Sequence, residues 1–285
     1  MRSLFLSFLL CLTPAFCVAR DVTVYIGTFT RFNGRDTGSK GIYLGHFDLD
    51  TGKLGSFNLA VAGDNPSFLA AAPDHRHLYA TSEVAMTDGK RVGGVYAFTI
   101  NPDSGGLTLL NRASSGGPGP THIAIDPSGK VIAVANYDNG SLSTLPILPD
   151  GRAGEPTITI QHKGKSVDPK RQDHAYAHSV NFSPDGRFLF NDDLGLDQLF
   201  IYSMIPGRAT LGVPDDPAPL SIKPGSGPRH FALHPDGRHA YIITEMGSTI
   251  VVLDFNAAKG TFAETQTVST LPAGFTGTNT GGEIA

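Results

Sequence analysis

The sequence predicts an all-β protein, a β-propeller of four-stranded antiparallel blades, and three observations carry that prediction. One hairpin pattern returns along the whole chain, a second hairpin follows each first one, and no stretch beyond the first twenty residues has an amphipathic helix period. Composition agrees. Gly (34) and Pro (20) are abundant and charged residues make up only 17% of the 285, a mix that suits short strands joined by tight turns.

The first residues stand apart from the repeat. "MRSLFLSFLLCLTPAFCVA" has a basic start at Arg2, an apolar run over residues 4–12, and small residues at Cys17 and Ala19. This is the pattern of a secretory signal peptide cleaved after Ala19. The run is too short for a transmembrane anchor, and bulky Phe16 before Cys17 disfavours a lipoprotein signal. Residues 1–19 are therefore expected to be the signal and residues 20–285 a single propeller domain, periplasmic or secreted. Both cysteines, Cys11 and Cys17, leave with the signal, so no disulfide is expected. Loss of Arg2 leaves 21 basic against 26 acidic residues, a balance of −5. With no basic run, neither nucleic acid nor an anionic membrane is an expected partner.

The repeat begins with "VTVYIGTF", which matches the second strand of a unit. Four fuller segments follow: "PSFLAAAPDHRHLYATSE" from Pro66, "PTHIAIDPSGKVIAVANY" from Pro120, "AHSVNFSPDGRFLFNDD" from Ala177 and "PRHFALHPDGRHAYIITE" from Pro228. Their turn prolines Pro73, Pro127, Pro184 and Pro235 lie 54, 57 and 51 residues apart. Proline sets φ at the first corner, Asp or Ser bonds back to the backbone, and Gly accepts the left-handed position. The outer hairpins are "YLGHFDLDTGKLG", "VYAFTINPDSGGLTLL", "STLPILPDGRAGE", "LFIYSMIPGRATLG" and "IVVLDFNAAKGTFAE". A sheet of four short strands cannot bury both faces alone, and radial repetition of such units gives a propeller. A β-sandwich would not explain one period carried along the chain.

The first unit lacks its innermost strand, and the chain ends on "TGGEIA", which reads as the start of one. Two expectations follow: residues 283–285 close a five-bladed ring, or later blades are missing from a C-terminally truncated sequence. An open ring would expose the apolar flanks of its end sheets and favour an oligomer across the gap.

"YIGTFT", "SKGIYLGHFDLDTGKL", "NPSFLAAAPDHRHLYATSE", "HAYAHSVNFSPDGRFLF", "DDLGLDQLFIY" and "GPRHFALHPDGRHAYIITE" together resemble the bacterial β-propeller type of 6-phosphogluconolactonase, the lactonase family, related to a fungal carboxymuconate-lactonizing cycloisomerase. The resemblance implies seven blades, which favours truncation over a five-bladed ring. It also implies functional roles for His178, Arg229 and Glu245, which match positions implicated in the cycloisomerase. A further Arg from a later blade has no counterpart here; Arg76 and Lys40 are the candidates to replace it.

Strand geometry places the site independently. The start of each first strand and the end of its antiparallel partner share one edge, so those residues crowd one mouth of the channel. The set is Ser67 and Glu83; His122, Asn136 and Tyr137; His178, Asn191 and Asp192; and Arg229, His230 and Glu245. Arg229 can hold an anionic group bidentately. His178 can act as a general base. Glu245 can orient the imidazole or serve as an acid, and His122, Asn136, Asp192, His230 and Glu83 are expected to contact substrate. Asp192 and Asp197 also suit turn caps. His174 and His178 could pair on one strand face as metal ligands, but no third ligand has diagnostic spacing, so neither metal nor cofactor is expected. There is no Gly-x-Ser-x-Gly elbow. The expected reaction is hydrolysis of a sugar lactone, 6-phosphogluconolactone or a related aldonolactone. The alternatives are a non-catalytic envelope propeller that binds a glycan or protein, and a lactone-forming cycloisomerase.

Overall fold

The computed structural model describes residues 21–84, 93–211 and 217–285, so the expected signal peptide lies outside the described residues. Each repeated segment forms a hairpin at the inner edge of a four-stranded antiparallel sheet. From the axis outwards, the second sheet runs Leu69–Ala71, His77–Ser82, Gly94–Ile100 and Leu107–Ser114. The third runs Pro120–Ile125, Val131–Asn136, Ser141–Pro146 and Ile158–Gln161. The fourth runs Ala177–Phe182, Phe188–Asp193, Gln198–Ser203 and Leu220–Ser221. The fifth runs Pro228–Leu233, His239–Thr244, Thr249–Asn256 and Thr261–Ser269. The innermost strands of consecutive sheets pack against one another, which is the radial arrangement of a β-propeller.

The first sheet follows the sequence expectation. Asp21–Ile26 pairs with Gly41–Asp48, which also takes Lys53–Leu54 and Asn58–Ala62. Among the described residues, no inner strand joins Asp21–Ile26. The chain's last residues do not supply it, because residues 270–285 form no strand. They run across the end of the fifth sheet instead, where Gly281 N donates to Glu245 O at 3.0 Å.

The inner turns show why the repeated motif works. In the fifth sheet Asp236 Oδ1 accepts from Arg238 N at 2.8 Å and His239 N at 3.2 Å, and Gly237 takes φ 66°. The second sheet keeps the aspartate at Asp74, but His75 occupies the left-handed corner at φ 55°. The third differs from expectation. Asp126, before the proline, accepts from Lys130 N and Val131 N at 2.7 Å each, and Ser128 Oγ donates to its other oxygen.

Two outer strands form later than the hairpin pattern predicts. After Pro146 and Pro149 the third sheet makes only the bridge Ile147–Ala153 before Ile158–Gln161. In the fourth, Pro217 and Pro219 leave an outer strand of two residues, because proline cannot donate to the ladder.

Four apolar cores join successive sheets. Ile42, Leu78, Ala80 and Phe98 fill the first interface, and Tyr79, Ile123, Ile132 and Val134 belong to the second. Val131, Leu142, Val180 and Leu189 serve the third. The fourth is aromatic, with the Phe190 ring 5.2 Å from Phe231 and 5.5 Å from Phe255. Alternation along each strand gives every inner sheet two apolar faces, and this fixes the neighbours on both sides.

Candidate functional site

A recurring irregularity builds the site. The ladder shifts register between Pro120 and His122, between Ala177 and Ser179, and between Pro228 and His230. The extra residues are Thr121, His178 and Arg229. A bulge of this kind turns one side chain out of the alternation, and all three line one cavity at the end of the axis. Ser67, just ahead of Leu69–Ala71, completes the series from the second sheet.

The cavity encloses about 610 Å³. Ser67, Phe68 and Glu83 line one side, Arg229, His230 and Glu245 the other, with Tyr137, Arg171 and His178 between them and Glu283 reaching in from the chain's last residues. Of the expected residues, the structure thus brings together His178, Arg229, Glu245, Glu83 and His230.

Glu245 is the hub of charge. Arg171 Nη2 donates to its Oε1 at 2.5 Å and Arg229 Nε donates to its Oε2 at 3.1 Å, while His178 Nε2 stands 3.7 Å from Oε2. Arg229 Nη1 also donates to Gly282 O at 2.6 Å. His178 is buried, and its pKa falls well below the usual histidine value because burial penalises the cation, with Arg229, His230 and His122 adding to the effect. Burial thus favours the neutral imidazole. Its ring meets Tyr137 edge-on at 5.3 Å and His230 at 5.1 Å. His230 Nδ1 lies 2.8 Å from Glu283 Oε2.

The Glu83 carboxyl is pushed up to about 7, chiefly by burial, although the hydrogen bond from Ser67 opposes the rise. Ser67 Oγ donates to Glu83 Oε2 at 2.5 Å.

Three expected residues stand behind the cavity wall. His122, one place past its bulge, is buried under Phe68 with ring centroids 4.0 Å apart, and its Nδ1 accepts from Val180 N at 3.3 Å. Burial holds its pKa well below the usual value. Asn136 is fully buried and donates to Ser115 O, Ser141 Oγ and Ser143 Oγ, each at 3.2 Å, which ties the second sheet to the third. Asp192 is fully buried against Ser179 Oγ at 2.8 Å, and burial raises its carboxyl to about 7. Strand ends alternate, so only every other residue there faces the axis. Asp197 does cap a turn, accepting from Gly225 N and Gly227 N at 2.7 Å each.

His174 and His178 do not share a strand face. The fourth sheet begins at Ala177, and His174 sits in the preceding loop, 3.0 Å from Asp173 Oδ1. Among the described residues, the one cluster suited to a metal ion is His234, Asp236 and His239, on an inner turn away from this cavity.

Arg171 is the residue the sequence reading missed. It lies in the connection between the third and fourth sheets, where no repeat marks it. Asp168 Oδ1 accepts from Lys170 N and Arg171 N, a local turn that aims the guanidinium inward. The connection is fastened beneath by buried His162, whose Nδ1 lies 2.7 Å from Asp193 Oδ2 and whose Nε2 lies 2.7 Å from Tyr202 Oη. The second guanidinium of the cavity is therefore Arg171. Lys40 instead pairs with Asp36 at the surface, and Arg76 occupies an exposed inner turn.

Comparison with known proteins fits this geometry. A family described as lactonase, 7-bladed beta-propeller, matches residues 23–285. A 6-phosphogluconolactonase of Bacillus subtilis is 35% identical over 262 residues, covering 91% of this chain and 70% of the relative. The solved structure of a putative 6-phosphogluconolactonase from Bacteroides fragilis superimposes with a TM-score of 0.80 at 31% identity, over 92% of this chain and 70% of that one. A periplasmic gluconolactonase of Pseudomonas aeruginosa gives a TM-score of 0.81 at 32% identity, over 92% and 71% of the two chains.

Proposed function

The chain belongs to the lactonase family of seven-bladed β-propellers, and on that premise we propose that it hydrolyses a sugar lactone, 6-phosphogluconolactone or a related aldonolactone, in the cavity at the end of its axis. The observation that carries the reading is the convergence there of a neutral buried imidazole, His178, with two guanidiniums held by one carboxylate.

His178 takes a proton from water as the water attacks the lactone carbonyl. The oxyanion that develops needs preorganised donors, and Arg229 and Arg171 are fixed for that task by Glu245 before substrate arrives. The same guanidiniums can anchor an anionic substituent. Glu245 acts through the arginines and the nearby imidazole, so its role is to position them.

Residues 1–19 fit an export signal, and the similarity to a periplasmic gluconolactonase supports a site of action outside the cytoplasm. An unphosphorylated aldonolactone suits that location.

The test is turnover of gluconolactone and 6-phosphogluconolactone, beside the His178→Ala form and with spontaneous opening subtracted. Loss of a general base costs about 10²–10⁴-fold, so turnover should vanish into the blank with the fold intact. A folded wild type with no turnover above the blank sinks the reading.

A further inference from the structure

Glu83 and Glu245 hold matching places, just past the second strands of the second and fifth sheets, and both line the cavity. Their partners differ. The place held by Arg229 in the fifth sheet is held by Ser67 in the second, so Glu245 lies between two guanidiniums whereas Glu83 receives a hydroxyl.

We propose that Glu83 is the general acid of this site, delivering its proton to the ring oxygen of the lactone as the ring opens. The inference rests on the lactonase reading above and adds a proton donor to it. The carboxyl is held in place from several directions. Asn65 fixes its backbone on both sides, with Glu83 N donating to Asn65 O at 3.0 Å and Asn65 Nδ2 donating to Glu83 O at 2.9 Å. Ser67 Oγ, which donates to Oε2, also lies 3.1 Å from Thr81 Oγ1. The charged groups that bear on it are Asp138, which favours the protonated form, and Arg229, which opposes it; Tyr137, Arg171, His178, His230, Glu245 and Glu283 share the cavity. Burial outweighs the rest, so a proton is available near neutral pH. Titratable groups kept in contrasting environments are the usual basis for dividing acid and base roles.

The step balances. Water oxygen bonds to the carbonyl carbon while His178 takes one water proton. The bond from that carbon to the ring oxygen then breaks, and its electron pair on the ring oxygen takes the Glu83 proton. The proton on His178 returns Glu83 to its acid form. The sum is lactone plus water to hydroxy acid.

Two substrates separate this role from a structural one. Gluconolactone expels an alkoxide that needs protonation, whereas dihydrocoumarin expels a phenoxide that can leave bare. Glu83→Gln should lose about 10²-fold in kcat on gluconolactone and far less on dihydrocoumarin. The wild-type rate should fall above about pH 7, and that fall should be absent in Glu83→Gln. Glu83→Asp, which keeps a titrating carboxyl, should retain the preference between the two substrates and part of the rate. Equal losses on both lactones, or an unchanged pH profile in Glu83→Gln, overturn the acid role and leave the lactonase reading standing. A wild type that opens neither lactone removes both.

Discussion

Residues 66–83 and 228–245 are the same hairpin built twice, and their ends have been put to different electrostatic use. Both run from proline through an apolar strand, a Pro-Asp turn and a second apolar strand to a glutamate at the cavity. In the fifth sheet a bulge at Arg229 brings a guanidinium onto Glu245, and Arg171 arrives from a neighbouring connection to hold the other oxygen. In the second sheet Ser67 meets Glu83 instead, and burial rather than a cation sets its protonation. A structural repeat can therefore place chemically different pairs at equivalent positions. One fold position, copied around an axis, carries a glutamate held between two guanidiniums in one copy and a glutamate met by a serine hydroxyl in another.

The most severe way to break the contrast is Arg229→Ser, which gives the fifth sheet the residue of the second. Removing one partner of a largely enclosed charge pair costs about 2–5 kcal/mol. Glu245 keeps Arg171, so the fold should survive while kcat/KM on gluconolactone falls by about 10²–10³-fold, as on loss of one oxyanion donor. Steady-state kinetics on the purified variant measures it, and a loss below threefold would show that Arg171 alone carries the anchor.

The fold was legible in the sequence because its signals are local. Pro-Asp-Gly turns and apolar alternation lie within a few residues of one another, and their return marks the blades. The site was legible only as a set of strand ends. His178, Arg229, Glu245, Glu83 and His230 were found there because chain direction places them at one mouth. Which end residues face inward depends on the bulges at Thr121, His178 and Arg229, and a one-residue shift leaves no mark in composition. Asn136 and Asp192 were thus assigned to the cavity although they face packed sheets. Arg171 was invisible for a different reason. Its position depends on a non-repeating connection pinned by His162 and Asp193, residues 31 apart in sequence.

Asp192 repeats the carboxyl–serine pairing outside the cavity. It is a second carboxyl paired with a serine and raised to about 7 by burial, but it lies within the packing of the fourth sheet. Its pKa lies above the ordinary value of 3.8, so the folded state binds the proton more tightly than the unfolded chain. The stability it contributes is complete at acid pH and is lost as pH rises through about 7. Asp192→Asn, which stays neutral, should flatten that decline by up to a few kcal/mol, because each tenfold difference in proton affinity is worth about 1.4 kcal/mol. Chemical denaturation at pH 4 through 8 reads it directly. Kinetics should hardly change, in contrast to Glu83→Gln, and a large loss of kcat would return Asp192 to the reaction.

The smallest and most selective change runs the comparison in reverse. Ser67→Arg places a guanidinium beside Glu83 as Arg229 lies beside Glu245, and Ser67 lines the cavity, so the longer side chain has space to extend. A nearby cation favours the carboxylate and lowers its pKa by about 1–3 in comparable pairs, with the lower figure expected because Arg229 already contributes and the substitution removes the Ser67 hydrogen bond that also lowers it. An acid that must be protonated to act then loses its proton earlier, so the alkaline limb of the gluconolactone rate should move down by about one pH unit. The rate on dihydrocoumarin, whose leaving group needs no acid, should keep its original profile. A limb that stays in place while Glu83→Gln abolishes it would mean that the grafted arginine turns away from the carboxyl. A limb that moves for both substrates would mean that the titrating group is not the leaving-group acid, and the division of labour between the two hairpins would have to be assigned to a different proton.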